Sequence, residues 1–188
     1  MLTSLLSNFR TTRSKAAVNV DCMGELVRLA APLNGQRWLE LGCGTGEFAR
    51  TIWDLSRGKL AELVSVDERV EVFESYRRAM TGSAFPLEDR TRFLCCDYRV
   101  DLSLFPSKHF HRAIGGPSFL EGTSGAIKLV EIQRVLRCGG MFVLAVRISD
   151  PIVRTIRGAG FERIETFPLP NSDVQLVRAW KVTEGGSN

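Results

Sequence analysis

The stretch that decides the fold of this chain is Trp38-Leu39-Glu40-Leu41-Gly42-Cys43-Gly44-Thr45-Gly46-Glu47-Phe48, in which an apolar segment runs directly into three alternate glycines. The apolar segment is typical of a buried strand, and the residues after the third glycine are typical of a helix. Glycine lacks a Cβ atom, so it adopts positive φ in a tight turn and lets the backbone approach a ligand closely. The N–H groups that begin the helix would point at an anionic part of that ligand. The motif therefore predicts a loop that binds a nucleotide-type cofactor.

The spacing of the glycines separates several kinds of cofactor loop. A dinucleotide fingerprint places its third glycine or alanine three positions after the second, which here is Glu47. A phosphate loop for ATP or GTP needs a lysine and a hydroxyl residue after the glycines, and neither follows here. The motif instead resembles the first motif of class I S-adenosylmethionine-dependent methyltransferases, an acidic residue, one further residue and then Gly-x-Gly-x-Gly. This resemblance implies S-adenosylmethionine as the cofactor.

The segments around the loop alternate between helical and strand patterns. Predicted helices cover residues 18–32, 46–57, 68–80, 124–137 and 152–157, and predicted strands cover residues 36–42, 60–67, 91–96, 110–115, 141–146, 161–167 and 174–182. This alternation predicts an α/β fold with a doubly wound, mostly parallel sheet covered by helices on both faces. The last two strands flank a Pro-rich turn and are expected to form an antiparallel hairpin. Seven strands ending in such a hairpin are also what the methyltransferase resemblance implies for a domain over residues 21–183.

The candidate cofactor site lies at the ends of the predicted strands. In a doubly wound sheet the ligand crosses the carboxyl ends of the strands, so residues that end the first four strands converge there. The residues expected to bind the cofactor are the three loop glycines and the residues at these strand ends, namely Glu40, Gly42, Gly44, Gly46, Asp67, Asp97 and Gly115.

The three acidic residues have separate expected roles. Burying the Glu40 carboxylate within an apolar strand is costly without a partner, so it either reaches solvent or faces a cation, which is the methionine ammonium of the cofactor or an arginine such as Arg37 or Arg112. Asp67 comes 21 positions after the last loop glycine, close to the spacing at which an acid binds ribose hydroxyls. Asp97 resembles the family aspartate that accepts from the adenine amine, and the alternative for it is a turn or capping residue.

The acceptor is less defined by the sequence than the cofactor. The family places acceptor contacts in the loop after the fourth strand, here Gly115-Gly116-Pro117-Ser118-Phe119. Enzymes of the family that methylate amines often have Asn/Asp-Pro-Pro-aromatic there, and the polar first residue is absent in this chain. A small-molecule or lipid head-group acceptor is therefore favoured, with an RNA or protein substrate, or a cofactor-binding assembly factor without turnover, as alternatives. No residue is assigned a catalytic role and no metal site is predicted, since methyl transfer depends mainly on positioning.

Composition is that of one ordinary globular domain. The chain has 188 residues, of which 44% are hydrophobic and 24% charged. Three basic residues precede the first acid at Asp21, so the remaining chain has 22 basic and 21 acidic residues and no overall basic excess for nucleic acid.

The first 20 residues differ from the rest of the chain. Leu2, Leu5, Leu6 and Phe9 recur at helical spacing, and all charged side chains there are basic. This tail is expected to be a docking helix or lid, a disordered tail, a membrane-surface helix or a mitochondrial transit peptide. Five cysteines without metal-type spacing indicate a reducing compartment, and no apolar run is long enough to span a bilayer. The predicted location is cytoplasmic, with the mitochondrial matrix as the alternative, and residues 184–188 are expected to be a flexible terminus.

Overall fold

The structure is a computed structural model that describes residues 22–97, 102–116, 125–148 and 152–182. The N-terminal tail, residues 117–124 of the predicted acceptor loop and the C-terminal residues 183–188 lie outside the described residues.

Helices and strands alternate along the described chain. The strands are β1 (Arg37–Leu41), β2 (Glu62–Asp67), β3 (Thr91–Cys95), β4 (Phe110–Gly115), β5 (Leu136–Arg147), β6 (Glu162–Pro168) and β7 (Val174–Trp180). The helices are α1 (residues 22–30), α2 (Glu47–Leu55), α3 (Phe73–Thr81), α4 (Gly125–Val135) and α5 (Ile152–Gly158). Short 3₁₀ turns precede α3 at Val70–Val72 and β3 at Glu88–Arg90.

The strands form one seven-stranded sheet in the order β3-β2-β1-β4-β5-β7-β6. Strands β1 to β5 pair in parallel, whereas β7 is antiparallel to both β5 and β6. The chain changes direction across the sheet between β1 and β4, and the crevice of a doubly wound fold opens at this switch point. The predicted doubly wound sheet with a terminal antiparallel hairpin is confirmed.

Helices cover both faces of the sheet. On one face, α1, α2 and α3 pack against buried side chains that include Trp38 and Ile114. On the other, α4 and α5 pack against side chains that include Phe110 and Phe142. Strand β5 lies between β4 and β7 and is buried on both faces, which explains its nearly continuous apolar run. None of the helices in the described part of the chain is both long enough and apolar enough to cross a membrane.

The helix predicted over residues 124–137 ends earlier, at Val135, and the strand after it begins at once with Leu136. The carbonyl of Val135 accepts from the backbone N–H of His109 at 2.8 Å, and the buried Lys181 ammonium donates to the carbonyl of Gln133 at 2.7 Å. These tertiary contacts satisfy carbonyls that a helix end leaves without partners. Leu136 then pairs with Phe110, so the chain enters the sheet before residue 141, where the strand was predicted to begin.

The helix predicted from residue 68 begins later, at Phe73. Arg69 has an extended backbone (φ −97°, ψ 109°), and its N–H donates to the Asp67 carboxylate at 3.1 Å. This local hydrogen bond keeps the chain out of the helix immediately after β2. Similarly, α1 ends at residue 30 because Ala31 has positive φ (50°).

The packing predicts a large loss of stability when the aromatic ring of Phe142 is removed from β5. Phe142 is fully buried, and its ring centroid lies 5.8 Å from that of Phe161. Phe142→Ala should lower the free energy of unfolding by about 3–5 kcal/mol, measured by urea denaturation, because it leaves a cavity in a dense core. Leu33→Ala, at a side chain that is 61% exposed, is the control and should change it by less than about 0.5 kcal/mol. Equal effects of the two substitutions would contradict this packing.

Candidate cofactor site

The glycine loop is attached to the end of β2 by hydrogen bonds. Gly42, Gly44 and Gly46 all have positive φ (74°, 52° and 85°). The N–H groups of Gly42 and Cys43 both donate to the Val66 carbonyl, at 2.9 and 3.1 Å. The loop is therefore held by the strand that carries the second acidic residue of the predicted site.

Gly46 and Gly44 have different surroundings. A Cβ atom on Gly46 would lie 2.7 Å from the Tyr76 Cα atom, so Gly46 lets α2 approach α3 closely. Among the described residues, a Cβ atom on Gly44 would have one neighbour within 4 Å, the Arg69 Nη2 atom at 3.7 Å. Backbone packing therefore explains Gly46, whereas the space beside Gly44 is bounded by one movable side chain and can admit a ligand.

Glu40 is fully buried and only half satisfied. Its Oε2 atom accepts a hydrogen bond from the Ser65 hydroxyl at 2.5 Å, and Tyr76 donates to the same hydroxyl at 3.3 Å. Its Oε1 atom is buried and has no hydrogen-bond partner among the residues that the structure describes. Buried polar atoms are seldom left unpaired in proteins, so this oxygen indicates a missing partner.

Within the described part of the chain, neither Arg37 nor Arg112 forms the alternative ion pair with Glu40. The Arg37 guanidinium donates to the His109 carbonyl at 2.8 Å, and Arg112 donates to the Ala30 carbonyl at 2.9 Å. Both arginines lie at the amino ends of their strands, whereas Glu40 is next to the last residue of β1.

Burial changes the ionisation of Glu40. The net pKa is raised to about 7: desolvation is the largest cause, the hydrogen bond from Ser65 acts in the opposite direction, and the negative charge of Asp67 adds to the rise. Glu40 is therefore a carboxyl that changes its charge near neutral pH unless a cation stabilises the ionised form.

Asp67 has more partners than Glu40. Its carboxylate accepts from the Gly44 N–H at 2.8 Å, from the Arg69 N–H at 3.1 Å and from the Arg69 guanidinium at 3.0 and 3.3 Å. Burial raises the pKa of Asp67, but the hydrogen bonds from Arg69 and Gly44 outweigh it, so the net pKa is lowered. Asp67 is thus an ionised acceptor at the mouth of the glycine loop.

The remaining predicted residues lie at the same edge of the sheet. Gly115 ends β4, is buried and pairs with Leu41 of β1. The Asp67 carbonyl accepts from the Cys96 N–H at 3.0 Å, which ties the end of β3 to the end of β2. Asp97 follows directly and is exposed. The structure therefore brings together at one edge all the residues predicted from strand ends.

Sequence reasoning missed a cavity of about 680 Å³ between α1 and the β6–β7 turn. It is lined mainly by apolar groups, with a carboxylate, an amide and a hydroxyl among them; lining residues include Cys22, Glu25, Leu29, Phe167, Leu169, Asn171, Ser172 and Leu176. Because Val174 at the start of β7 pairs with Arg147 at the end of β5, the β6–β7 turn lies at the same edge as the glycine loop. The α1 side and the turn side of this cavity are about 150 positions apart in the sequence, so no local pattern predicts that they meet. The sequence predicted only the hairpin turn that forms one of the two sides.

The fold is shared with solved structures of low sequence identity. An S-adenosylmethionine-dependent methyltransferase from Aquifex aeolicus is 13% identical over 85% of this chain and 89% of its own, with a TM-score of 0.70. Another from Mesorhizobium loti is 15% identical over 83% and 95%, with a TM-score of 0.66. The cyclase SpnF is 23% identical over 78% and 59%, with a TM-score of 0.63. The chain therefore has the Rossmann-like fold of class I methyltransferases. No protein-family model and no curated protein matches it.

The buried carboxyl of Glu40 predicts a specific pH dependence of stability. In the folded protein Glu40 keeps its proton up to a pKa of about 7, whereas in the unfolded chain it loses the proton near its ordinary pKa of 4.5. Folding stability should therefore fall as pH rises through this window, by about 3 kcal/mol if Glu40 alone contributes.

Glu40→Gln, which cannot ionise, should remove this loss. The test is urea denaturation of the protein and of the variant between pH 5 and pH 8. As pH rises, the free energy of unfolding of the variant should increase relative to that of the unchanged protein. If the two free energies instead change in parallel with pH, Glu40 does not ionise in this window.

Proposed function

We propose that this chain is an S-adenosylmethionine-dependent methyltransferase that acts on a small organic acceptor. The main support is the buried Glu40 Oε1 atom, which lacks a partner among the described residues. Glu40 lies on the strand that leads into a glycine loop whose own N–H binds a second buried carboxylate. The methyltransferases of the same fold support the assignment. A cyclase also has this fold, so the fold alone does not decide the reaction.

The residues of the site fit S-adenosylmethionine. Its amino-acid part carries an ammonium group, which is the type of partner that the half-satisfied Glu40 carboxyl lacks. A nearby cation would hold Glu40 ionised at neutral pH against the effect of its burial. Its ribose hydroxyls are donors that suit the ionised Asp67. We assign Gly42, Gly44 and Gly115 to the backbone surface against which the cofactor lies.

Arg69 would have to move when the ribose binds. Its guanidinium makes two of the four hydrogen bonds to Asp67, and its side chain is 53% exposed. The Asp67 side chain is only 3% exposed, so the guanidinium can leave it only if the ribose hydroxyls supply the carboxylate with donors in its place. The Gly44 N–H would remain on the carboxylate and keep it oriented. Arg69 is thus a group that ribose hydroxyls can replace.

The chemistry requires positioning more than acid–base assistance. When bound, S-adenosylmethionine supplies a methyl group that is already activated by the positive sulfur. The task of this chain is to orient the acceptor and to exclude water, and such positioning can contribute roughly 7–11 kcal/mol. We assign Glu40 and Asp67 to cofactor binding and propose no catalytic base.

The cavity between α1 and the β6–β7 turn is the proposed acceptor site. Its volume of about 680 Å³ is within the range of small-molecule sites, roughly 300–1,000 Å³. Phe167 offers an aromatic surface, and the Arg178 guanidinium lies 5.3 Å from its ring centroid. The Glu165 carboxylate accepts a hydrogen bond from that guanidinium at 2.5 Å, which fixes the Arg178 side chain beside the ring. Glu25 and Asn171 supply polar contacts that would orient an acceptor with an amino or hydroxyl group.

Loss of the Asp67 carboxylate should weaken cofactor binding. Asp67→Ala should reduce the affinity for S-adenosylhomocysteine, measured by calorimetry, by about a hundredfold, since hydrogen bonds to charged groups contribute about 1.5–3 kcal/mol each. Asp67→Asn retains an oxygen for the Gly44 N–H and should weaken binding less, and it covers the case that the alanine variant does not fold. Asp89→Ala, at an exposed carboxylate elsewhere, is the control. Unchanged affinity in both Asp67 variants would reject the ribose assignment.

The acceptor class can be tested with tritiated S-adenosylmethionine and fractionated lysate. We expect label in extractable small molecules. Label that enters RNA or protein instead would identify the alternative substrate class, and calorimetry that shows cofactor binding without any transfer would favour a binding protein without turnover.

A variant that fills the cavity tests the position of the acceptor. Leu169→Trp should lower label transfer at least tenfold while S-adenosylhomocysteine affinity stays unchanged, because the added ring occupies the cavity and not the glycine loop. Leu33→Trp, at an exposed position between α1 and β1, is the matched control and should transfer label normally. Full transfer by the Leu169 variant would place the acceptor elsewhere.

A further inference from the structure

A group of basic side chains lies at the edge of the sheet opposite the glycine loop. Arg37 begins β1, His111 and Arg112 are near the beginning of β4, and Arg137 is near the beginning of β5. These three strands are neighbours and run parallel, so their first residues lie side by side. We call Arg37, His111, Arg112 and Arg137 the amino-edge cluster.

Backbone carbonyls hold two of the guanidinium groups in place. Arg37 donates from Nε to the His109 carbonyl at 2.8 Å. Arg112 donates from Nε to the Ala30 carbonyl and from Nη1 to the His111 carbonyl, both at 2.9 Å. These bonds use one or two nitrogen atoms of each group. No other hydrogen bond joins these two guanidiniums to the described residues, so their remaining N–H groups can donate to a ligand; oriented guanidiniums of this kind bind tetrahedral anions well.

His111 brings a further donor into the cluster. Its Nδ1 atom accepts from the Arg37 backbone N–H at 3.1 Å, so the neutral ring carries its proton on Nε2. That Nε2 atom lies 2.8 Å from Nη1 of Arg137, which is also a donor. Two donors therefore face each other without an acceptor between them. An oxygen atom of an anion, placed beside both, would accept from each and relieve this contact.

No carboxylate of the described residues forms an ion pair with the arginines of the cluster. Among the described residues, none of its three arginines has a carboxylate within 4 Å; the nearby Glu62 is bound to Arg92 and to His109, the latter at 2.8 Å. The pKa of His111 is lowered: burial is the largest cause, and the positive charges of Arg137, Arg37 and Arg112 follow. Burial and the charge of Arg137 also lower the pKa of Arg112. The chain thus keeps three positive charges together at a partly buried edge.

We propose that the amino-edge cluster binds a phosphate group. Three guanidiniums and an imidazole N–H match the charge and the several oxygen atoms of a phosphate better than those of a single carboxylate. Arg137 is exposed and Arg37 and Arg112 are half-buried, so solvent reaches the site. The phosphate comes either from a free or small-molecule phosphate or from a nucleic-acid backbone. The inference is independent of methyl transfer, because the cluster lies at the opposite edge from the cofactor site.

The two histidines of the chain, His109 and His111, give a direct test by proton NMR. Inorganic phosphate should shift the His111 ring signals in a saturable way, and the His111 pKa should rise, because a bound anion offsets the fields of Arg37, Arg112 and Arg137. The variant His109→Gln assigns the signals. Sodium chloride at matched ionic strength is the salt control. A shift that is equally large in chloride, or that does not saturate, would overturn the proposal.

Substitutions then locate the site. Arg137→Gln, at an exposed position, should weaken phosphate binding at least tenfold, and Arg112→Gln should do the same if it folds. Arg77→Gln, at an exposed arginine of α3 paired with Glu74, is the matched control and should bind phosphate normally. Unchanged binding in the Arg137 variant would overturn the assignment. In a separate arm, a hexauridylate that binds at least tenfold more tightly than inorganic phosphate would identify the nucleic-acid backbone as the source, and binding no tighter would identify a small phosphate.

Discussion

The hydrogen bond from the Gly44 N–H to the Asp67 carboxylate joins the two parts of the candidate cofactor site. It links the glycine loop after β1 to the end of β2, the neighbouring strand in the sheet. Two further bonds, from Gly42 and Cys43 to the Val66 carbonyl, fix the loop against the same strand. The position of the loop, the orientation of Asp67 and the space beside Gly44 all depend on this connection. The same carboxylate also delays the start of α3 by accepting from the Arg69 N–H.

The two buried carboxyl groups of the site behave oppositely although they are near each other. Glu40 has one hydrogen-bond donor, so burial dominates and its pKa rises to about 7. Asp67 has donors from two residues, and these lower its pKa despite burial. The balance between burial and hydrogen bonding to the charged form therefore decides the charge of each group. This difference suits Asp67 to neutral hydroxyl donors and Glu40 to a cation.

Much of the architecture could be predicted from local patterns. The apolar strands, the glycine loop and the alternation of helices with strands gave the doubly wound sheet, because strand and helix periods are local properties. Helix ends were less predictable. Helix α4 ends at Val135 because His109 and Lys181, both distant in sequence, bind the carbonyls of its last turn. Such contacts leave no signal in the segment whose boundary they set.

The sequence by itself determined the sheet, the glycine loop and which acidic residues end neighbouring strands. Only the tertiary structure decided their partners: Ser65 and not an arginine binds Glu40, Arg69 covers Asp67, and Tyr76 explains why position 46 must be glycine. The cavity between α1 and the β6–β7 turn and the amino-edge cluster also appear only after folding. The physical reason is that periodicity follows from neighbouring residues along the chain, whereas hydrogen-bond partners and buried charges depend on which strands and helices pack side by side.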